Sequence, residues 1–146
     1  MVSFSAEIDV AASPASVAAV MFDPARQAEW MSAVESVEIH DAALAPGARV
    51  THRGSLMGRD LLWTTEVEAV HFPHLLAMRI TDGPFTGVVR YGIQRSGAGS
   101  RVQIQSEGEL NGLGFVLADV AAGAMRSTLQ AELGRLKGLI ETARVD

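Results

Sequence analysis

Residues 85–110 read FTGVVRYGIQRSGAGSRVQIQSEGEL. Phe85, Gly87, Val89, Tyr91 and Ile93 alternate with Thr86, Val88, Arg90 and Gln94. After Ser96-Gly97-Ala98-Gly99, a second alternation sets Val102, Ile104, Ser106 and Gly108 against Arg101, Gln103, Gln105, Glu107 and Glu109. A period of two is the pattern of a strand with one buried face, and the four small residues between the runs make a hairpin loop. Hairpins join antiparallel strands, whereas parallel neighbours need a long crossover. The stretch therefore predicts two antiparallel strands with one apolar and one charged face.

The same period extends back to residue 34. Val37 and Ile39 mark one strand, and Pro46-Gly47 turns into the next, in which Val50, His52, Gly54 and Leu56 point one way. Gly58-Arg59 suits a two-residue hairpin with Gly at its first central position. Trp63, Thr65, Val67 and Ala69 then form the inward set against Glu66 and Glu68. Leu76, Met78 and Ile80 follow, after the connection His71-Phe72-Pro73-His74. At the start of the chain, Phe4, Ala6, Ile8 and Val10 alternate with Ser3, Ser5, Glu7 and Asp9 as an opening strand. Ser13-Pro14 and Asp23-Pro24 each place an N-capping side chain before a proline, which predicts two short helices, the second ending near Trp30-Met31.

An apolar sheet face needs a cover. Residues 113–142 supply it as a helix of about eight turns. Leu117, Ala118, Ala121, Met125, Leu129, Leu136 and Leu139 share one side, with Asp119, Arg126, Gln130, Lys137 and Glu141 opposite. The expected class is α+β: a curved, seven-stranded antiparallel sheet wrapped around a long C-terminal helix, in a single domain spanning residues 1–146. Gly54, Gly87, Gly108 and Ala121 are small residues facing the space between sheet and helix, which predicts that the space is incompletely filled.

Composition narrows the functions. Twelve Lys and Arg against 17 Asp and Glu give a net charge of −5, which argues against a nucleic-acid binder. The chain has no Cys, so disulfides, thiolate metal sites and cysteine nucleophiles are excluded. The alternating N-terminus lacks the pattern of a signal peptide, and no apolar run is long enough for a membrane span, so a cytoplasmic location is expected. Hydrophobic residues make up 48% and aromatics only 5%, an aliphatic surplus assigned here partly to core and partly to the wall of a cavity.

The element order resembles the helix-grip fold of the START/polyketide-cyclase (SRPBCC) superfamily, in particular its polyketide cyclase/dehydrase-like subfamily. The likeness is carried by Ser13-Pro14-Ala15-Ser16-Val17 after the opening strand and by the segment from Phe22-Asp23-Pro24 to Trp30-Met31. The Pro46-Gly47 turn, Trp63-Thr64-Thr65-Glu66-Val67, Gly99-Ser100-Arg101-Val102 and the glycine-rich region Glu107 to Gly114 add to it. The resemblance covers nearly the whole chain and implies a deep, mainly apolar cavity that takes lipids, polyketides or other hydrophobic molecules. Some members are cyclases or dehydratases.

On that reading the wall draws on the inward registers: His52, Trp63, Thr65, Met78, Phe85, Tyr91, Ile104 and Ser106 from the sheet, Leu117, Ala121 and Met125 from the long helix, and Trp30, which like Trp63 reads as a core or entrance residue rather than a catalytic one. His52 and Tyr91 are the candidates for proton transfer, because an imidazole exchanges protons near neutral pH and a phenol can fix or protonate a carbonyl. The alternatives are a satisfied core histidine and a core tyrosine. Glu132 falls on the apolar side of the helix, where a rim position paired with an Arg is preferred to a buried carboxylate with a raised pKa. The two imidazoles of His71 and His74 lack the further ligands that zinc requires, so no metal and no cofactor are expected. Gly112-Leu113-Gly114 lacks a dinucleotide-binding context and reads as a hinge. The preferred function is binding of a small hydrophobic molecule. The rivals are a cyclase or dehydratase using His52 and Tyr91, and an interaction protein whose apolar surplus forms a homodimer face.

Overall fold

The computed structural model describes residues 2–56, 58–83, 85–110 and 118–143. Strand β1 (Val2–Val10) is followed by helix α1 (Pro14–Met21), a 3₁₀ turn (Pro24–Arg26) and the one-turn helix α2 (Gln27–Trp30). Six strands follow, β2 (Val34–Ile39), β3 (Arg49–Leu56), β4 (Arg59–His71), β5 (Leu75–Ile80), β6 (Phe85–Ser96) and β7 (Gly99–Leu110), and then helix α3 (Ala118–Ala143). The sheet order is β1-β7-β6-β5-β4-β3-β2, and every neighbouring pair is antiparallel. No helix among the described residues is long and apolar enough to cross a membrane.

The helix starts form for the reasons their sequences suggest. Ser13 Oγ accepts from Ser16 N–H at 3.2 Å, and Asp23 Oδ1 accepts from Ala25 N–H at 3.0 Å. The second start makes only a 3₁₀ turn and one α-turn, because the chain must turn at Met31 to enter β2.

The hairpin between β3 and β4 lies one residue earlier than the sequence suggests. Leu56 pairs with Arg59, and Gly58, with φ +78°, takes the second loop position. The shift moves the pairing by two residues, so the faces are preserved and His52 pairs with Trp63. In β4 an irregularity between Val67 and Ala69 resets the alternation. Val70, not Ala69, packs against the main core, while Glu68 points outward and pairs with Arg79.

The inward glycines have a different role from the one their size suggests. A Cβ on Gly87 would collide with the carbonyl oxygen of Glu107, and one on Gly108 with that of Thr86. The two residues are cross-strand partners, so β6 and β7 approach backbone to backbone there, which only glycine permits. A Cβ on Gly54 would occupy the carbonyl of Ala33, which accepts from Ser55 N–H at 3.1 Å. These positions are filled by backbone rather than left empty.

Helix α3 crosses the concave face with Leu133, Leu136 and Ile140 buried and with Leu129 and Leu139 partly buried against the core. Its flank is not left to solvent as the helical wheel suggests. Gln130 Nε2 donates to Glu7 O at 3.0 Å, Lys137 Nζ donates to Asp9 O at 2.9 Å, and Glu141 Oε2 accepts from Ala11 N–H at 2.8 Å. Strand β1 pairs only with β7, so its other edge presents unpaired groups that these side chains cover. The buried side chains fall into a large cluster around Trp30, Ile93, Ile104 and Leu136, and a small one of Val2, Phe4 and Phe85.

Candidate functional site

Between the two clusters lies a cavity of about 170 Å³. The sheet supplies Phe4 from β1, His52 from β3, Leu61, Trp63 and Thr65 from β4, Met78 and Ile80 from β5, Phe85, Val89 and Tyr91 from β6, and Ile104 and Ser106 from β7. Gln27 of α2, Met31 and Ala33 close one side, and Met125 and Leu129 of α3 close another. Among the described residues that line it there is no Asp, Glu, Lys or Arg.

The cavity brings together His52, Trp63, Thr65, Met78, Phe85, Tyr91, Ile104, Ser106 and Met125 of the sequence candidates. Trp30 is not among the lining residues. It is fully buried in the main core and meets the Tyr91 ring edge-on at 6.1 Å, because the short α2 turns its indole toward β6. Leu117 lies outside the described residues, as does the Gly112-Leu113-Gly114 hinge, and of Ala121 only the helical backbone is described. Phe4, Gln27, Met31, Ala33, Leu61, Ile80, Val89 and Leu129 line the cavity as well, beyond the candidates the sequence offers. Phe4, Trp63, Phe85 and Tyr91 are among its described lining residues, so the void does not arise from a lack of aromatics.

His52 is the most constrained polar group. It is 2% exposed, and its ring stacks on its cross-strand partner Trp63 at 5.2 Å and 11°. Nε2 lies 2.9 Å from the hydroxyl of Thr65, two residues along β4 and therefore diagonally opposite. Burial lowers the imidazole pKa from 6.5 to about 4, so the ring is neutral at pH 7. Tyr91 is also buried, and among the described residues its hydroxyl meets Met31 Sδ, at 3.9 Å. Burial, with the charge of Glu132 adding to it, pushes its phenol well above the ordinary value.

Of the two readings of Glu132, the structure gives the buried carboxylate and not the Arg-paired rim position. It is 2% exposed, and its Oε2 accepts from Ser32 Oγ at 3.1 Å and from Ala33 N–H at 3.5 Å. Burial raises its pKa, and the hydrogen bonds only partly offset this. The carboxylate faces the segment between α2 and β2, where no cation among the described residues reaches ion-pair distance. His74 Nδ1 is held 2.9 Å from Ile93 O. No cluster of three metal-ligating side chains occurs among the described residues.

A second depression, of about 310 Å³, lies between α1, the loop after β2 and the β4–β5 turn. Its wall includes Asp23, Asp41 and Arg49, and its Ile39 and Phe72 are exposed to solvent. It is larger but holds none of the clustered polar groups of the inner cavity.

A bent antiparallel sheet that grips one long helix around an internal cavity defines the helix-grip class. The chain belongs to the family described as polyketide cyclase / dehydrase and lipid transport, whose model matches residues 1–141. No curated protein sequence matches it. Among solved structures it is similar to a START superfamily protein from Mycobacterium smegmatis, with a TM-score of 0.84 at 16% identity over 97% of this chain and 98% of that one. It is also similar to TTHA0849 from Thermus thermophilus, with a TM-score of 0.83 at 21% identity over 97% and 99%. The di-domain ARO/CYC BexL from the BE-7585A biosynthetic pathway aligns with a TM-score of 0.75 at 18% identity, over 97% of this chain and 47% of BexL. These identities establish a shared fold.

Proposed function

We propose that the protein binds a small hydrophobic molecule in the cavity between the sheet and α3. The observation that carries this reading is the cavity itself: a space of about 170 Å³ whose described wall is uncharged and mostly apolar. Transferring apolar ligand surface into it contributes about 25 cal/mol per Å² before the costs of association. The family's description, which couples cyclases with lipid transport, fits the same use of the fold.

A cyclase or dehydratase remains the second reading, because His52 and Tyr91 share one wall. The electrostatics favour binding over proton transfer. A general base works best with a pKa near the working pH, and burial drives the histidine below that range and the phenol above it.

Native mass spectrometry and displacement of a fluorescent apolar dye, run against a panel of aromatic molecules, polyketides and lipids, test the proposal. Saturable one-to-one binding is expected for at least one class, and no binding across the panel overturns it.

A further inference from the structure

Among the described residues Glu132 is the one buried carboxyl, and the binding function proposed above gives it no task. It stands three residues beyond Leu129 and seven beyond Met125 on α3, so it shares the helix face that lines the cavity. Opposite it, residues 31–33 form the strap between α2 and β2. Met31 and Ala33 line the cavity, and Ser32 between them is exposed to solvent. Ser32 Oγ and Ala33 N–H both donate to Glu132 Oε2, and among the described residues these are the hydrogen bonds that join the strap to α3. On its other side the strap is fixed to β3, where Ala33 O accepts from Ser55 N–H at 3.1 Å. The carboxyl therefore sits at the joint between strap and α3, with cavity wall on both sides, and it is bonded to a residue that reaches solvent.

The two charge states of the carboxyl favour different joints. A carboxylate with no cation at ion-pair distance among the described residues is stabilised best by water, which reaches it when strap and α3 part at Ser32. The neutral carboxyl still accepts from Ser32 and Ala33 and stays in the closed joint at little cost, so burial raises its pKa. A ligand acts on the same joint. At about 170 Å³, against the roughly 150 Å³ that accommodates benzene, one substituted ring fills the cavity and rests on the strap and on α3 together. Both sets of contacts are made only while the joint is closed, so occupancy favours the closed joint and the closed joint favours the neutral carboxyl.

The groups around Glu132 do not supply this effect. Arg135, further along α3, is exposed and draws the carboxyl pKa down. Tyr91 of β6 stays neutral, because burial holds its phenol above the ordinary value. His52 of β3 titrates near pH 4. Glu7 and Asp9 of β1, Glu29 of α2 and Glu35 and Glu38 of β2 are exposed, and α1 carries no titratable side chain.

We propose that Glu132 is a proton latch on the inner cavity: binding of an apolar ligand takes up a proton at this carboxyl, and the ligand is held more tightly in mild acid than above neutral pH. The inference rests on the binding function proposed above and assigns that site a regulation by pH.

Calorimetric titration of the full chain with toluene between pH 5.5 and pH 8.5, in buffers of different ionisation enthalpy, tests it. Wild type is expected to bind about fivefold or more tighter at pH 5.5 than at pH 8.5, with net proton uptake inside that window. Glu132→Gln keeps an acceptor for Ser32 and Ala33, and both effects disappear in it. Ser32→Ala removes a hydrogen bond that favours the ionised form and moves the pH profile upward, an independent readout from an exposed position if Glu132→Gln does not fold. Titration of His52 gives the opposite slope and is complete below pH 5.5. A wild-type affinity that is flat with pH, net proton release, or a pH dependence that survives in folded Glu132→Gln overturns the latch and leaves the binding function standing. A panel member that binds where toluene does not is titrated in its place. Failure of toluene and of the whole panel overturns the binding function as well.

Discussion

His52 is neutral, 2% exposed and stacked on Trp63, and charging it in place would put a cation where the described residues of the cavity wall include no anion. Its pKa falls from 6.5 to about 4 on folding. Between those values the unfolded chain binds more protons than the folded one, so stability rises with pH. The contribution is fully present above pH 6.5 and is lost as the pH falls toward 4. A difference of about 2.5 units at 1.36 kcal/mol each comes to about 3 kcal/mol, of which about 2 kcal/mol is lost by pH 5. Urea unfolding followed by tryptophan fluorescence reports this directly, since Trp30 is fully buried. His52→Phe keeps a flat ring against Trp63 and removes the titration. The stability of wild type minus that of the variant should fall by about 3 kcal/mol between pH 7 and pH 4. A flat difference across that window would refute the reasoning, because it would mean that the imidazole is solvated or has found a counter-charge.

Gly54→Ala should cost about 3 kcal/mol, at the upper end for overpacking, and lower Tm by roughly 10 °C, because the new Cβ meets the Ala33 carbonyl rather than a movable side chain. A loss below about 1 kcal/mol would show that the segment before β2 yields freely. Glu132→Gln retains an oxygen for Ser32 and Ala33, and it removes a carboxyl whose raised pKa makes the fold lose stability as pH rises above 4.5. The variant should match or exceed wild type at pH 7 in the same urea assay, and a deficit above about 1 kcal/mol would show that the charge is needed there. Ser13→Ala removes the α1 cap and should cost about 1 kcal/mol, while an unchanged unfolding midpoint would mean that the cap adds nothing.

Parity was what the sequence made legible. His52, Trp63, Met78, Tyr91 and Ile104 face the cavity because alternation fixes the face of a strand residue even when its partner is misassigned. The β3–β4 turn illustrates this: its loop moves by one residue and the faces stand. Where alternation breaks, the reading fails, and the irregularity in β4 replaces Ala69 by Val70. Gln27 was invisible because a one-turn helix has no period to read. Glu132 was visible on the apolar side of α3, but its partners lie 99 and 100 residues away, and no local pattern reports them. The inward glycines were seen as empty volume, whereas tertiary contact fills their Cβ positions with backbone.

The central claim is that the inner cavity, and not the outer depression, receives an apolar ligand. Methyl NMR of the full chain titrated with toluene tests this most directly. A ligand of this size is expected to bind with a Kd on the order of 0.1 mM. The methyl signals of Met78, Ile104, Met125 and Leu129 should shift together with one saturation curve, while those of Ile39 and Leu44 beside the outer depression stay in place. Saturable shifts confined to Ile39 and Leu44, or no saturable shift at Met78 and Ile104, would contradict the account.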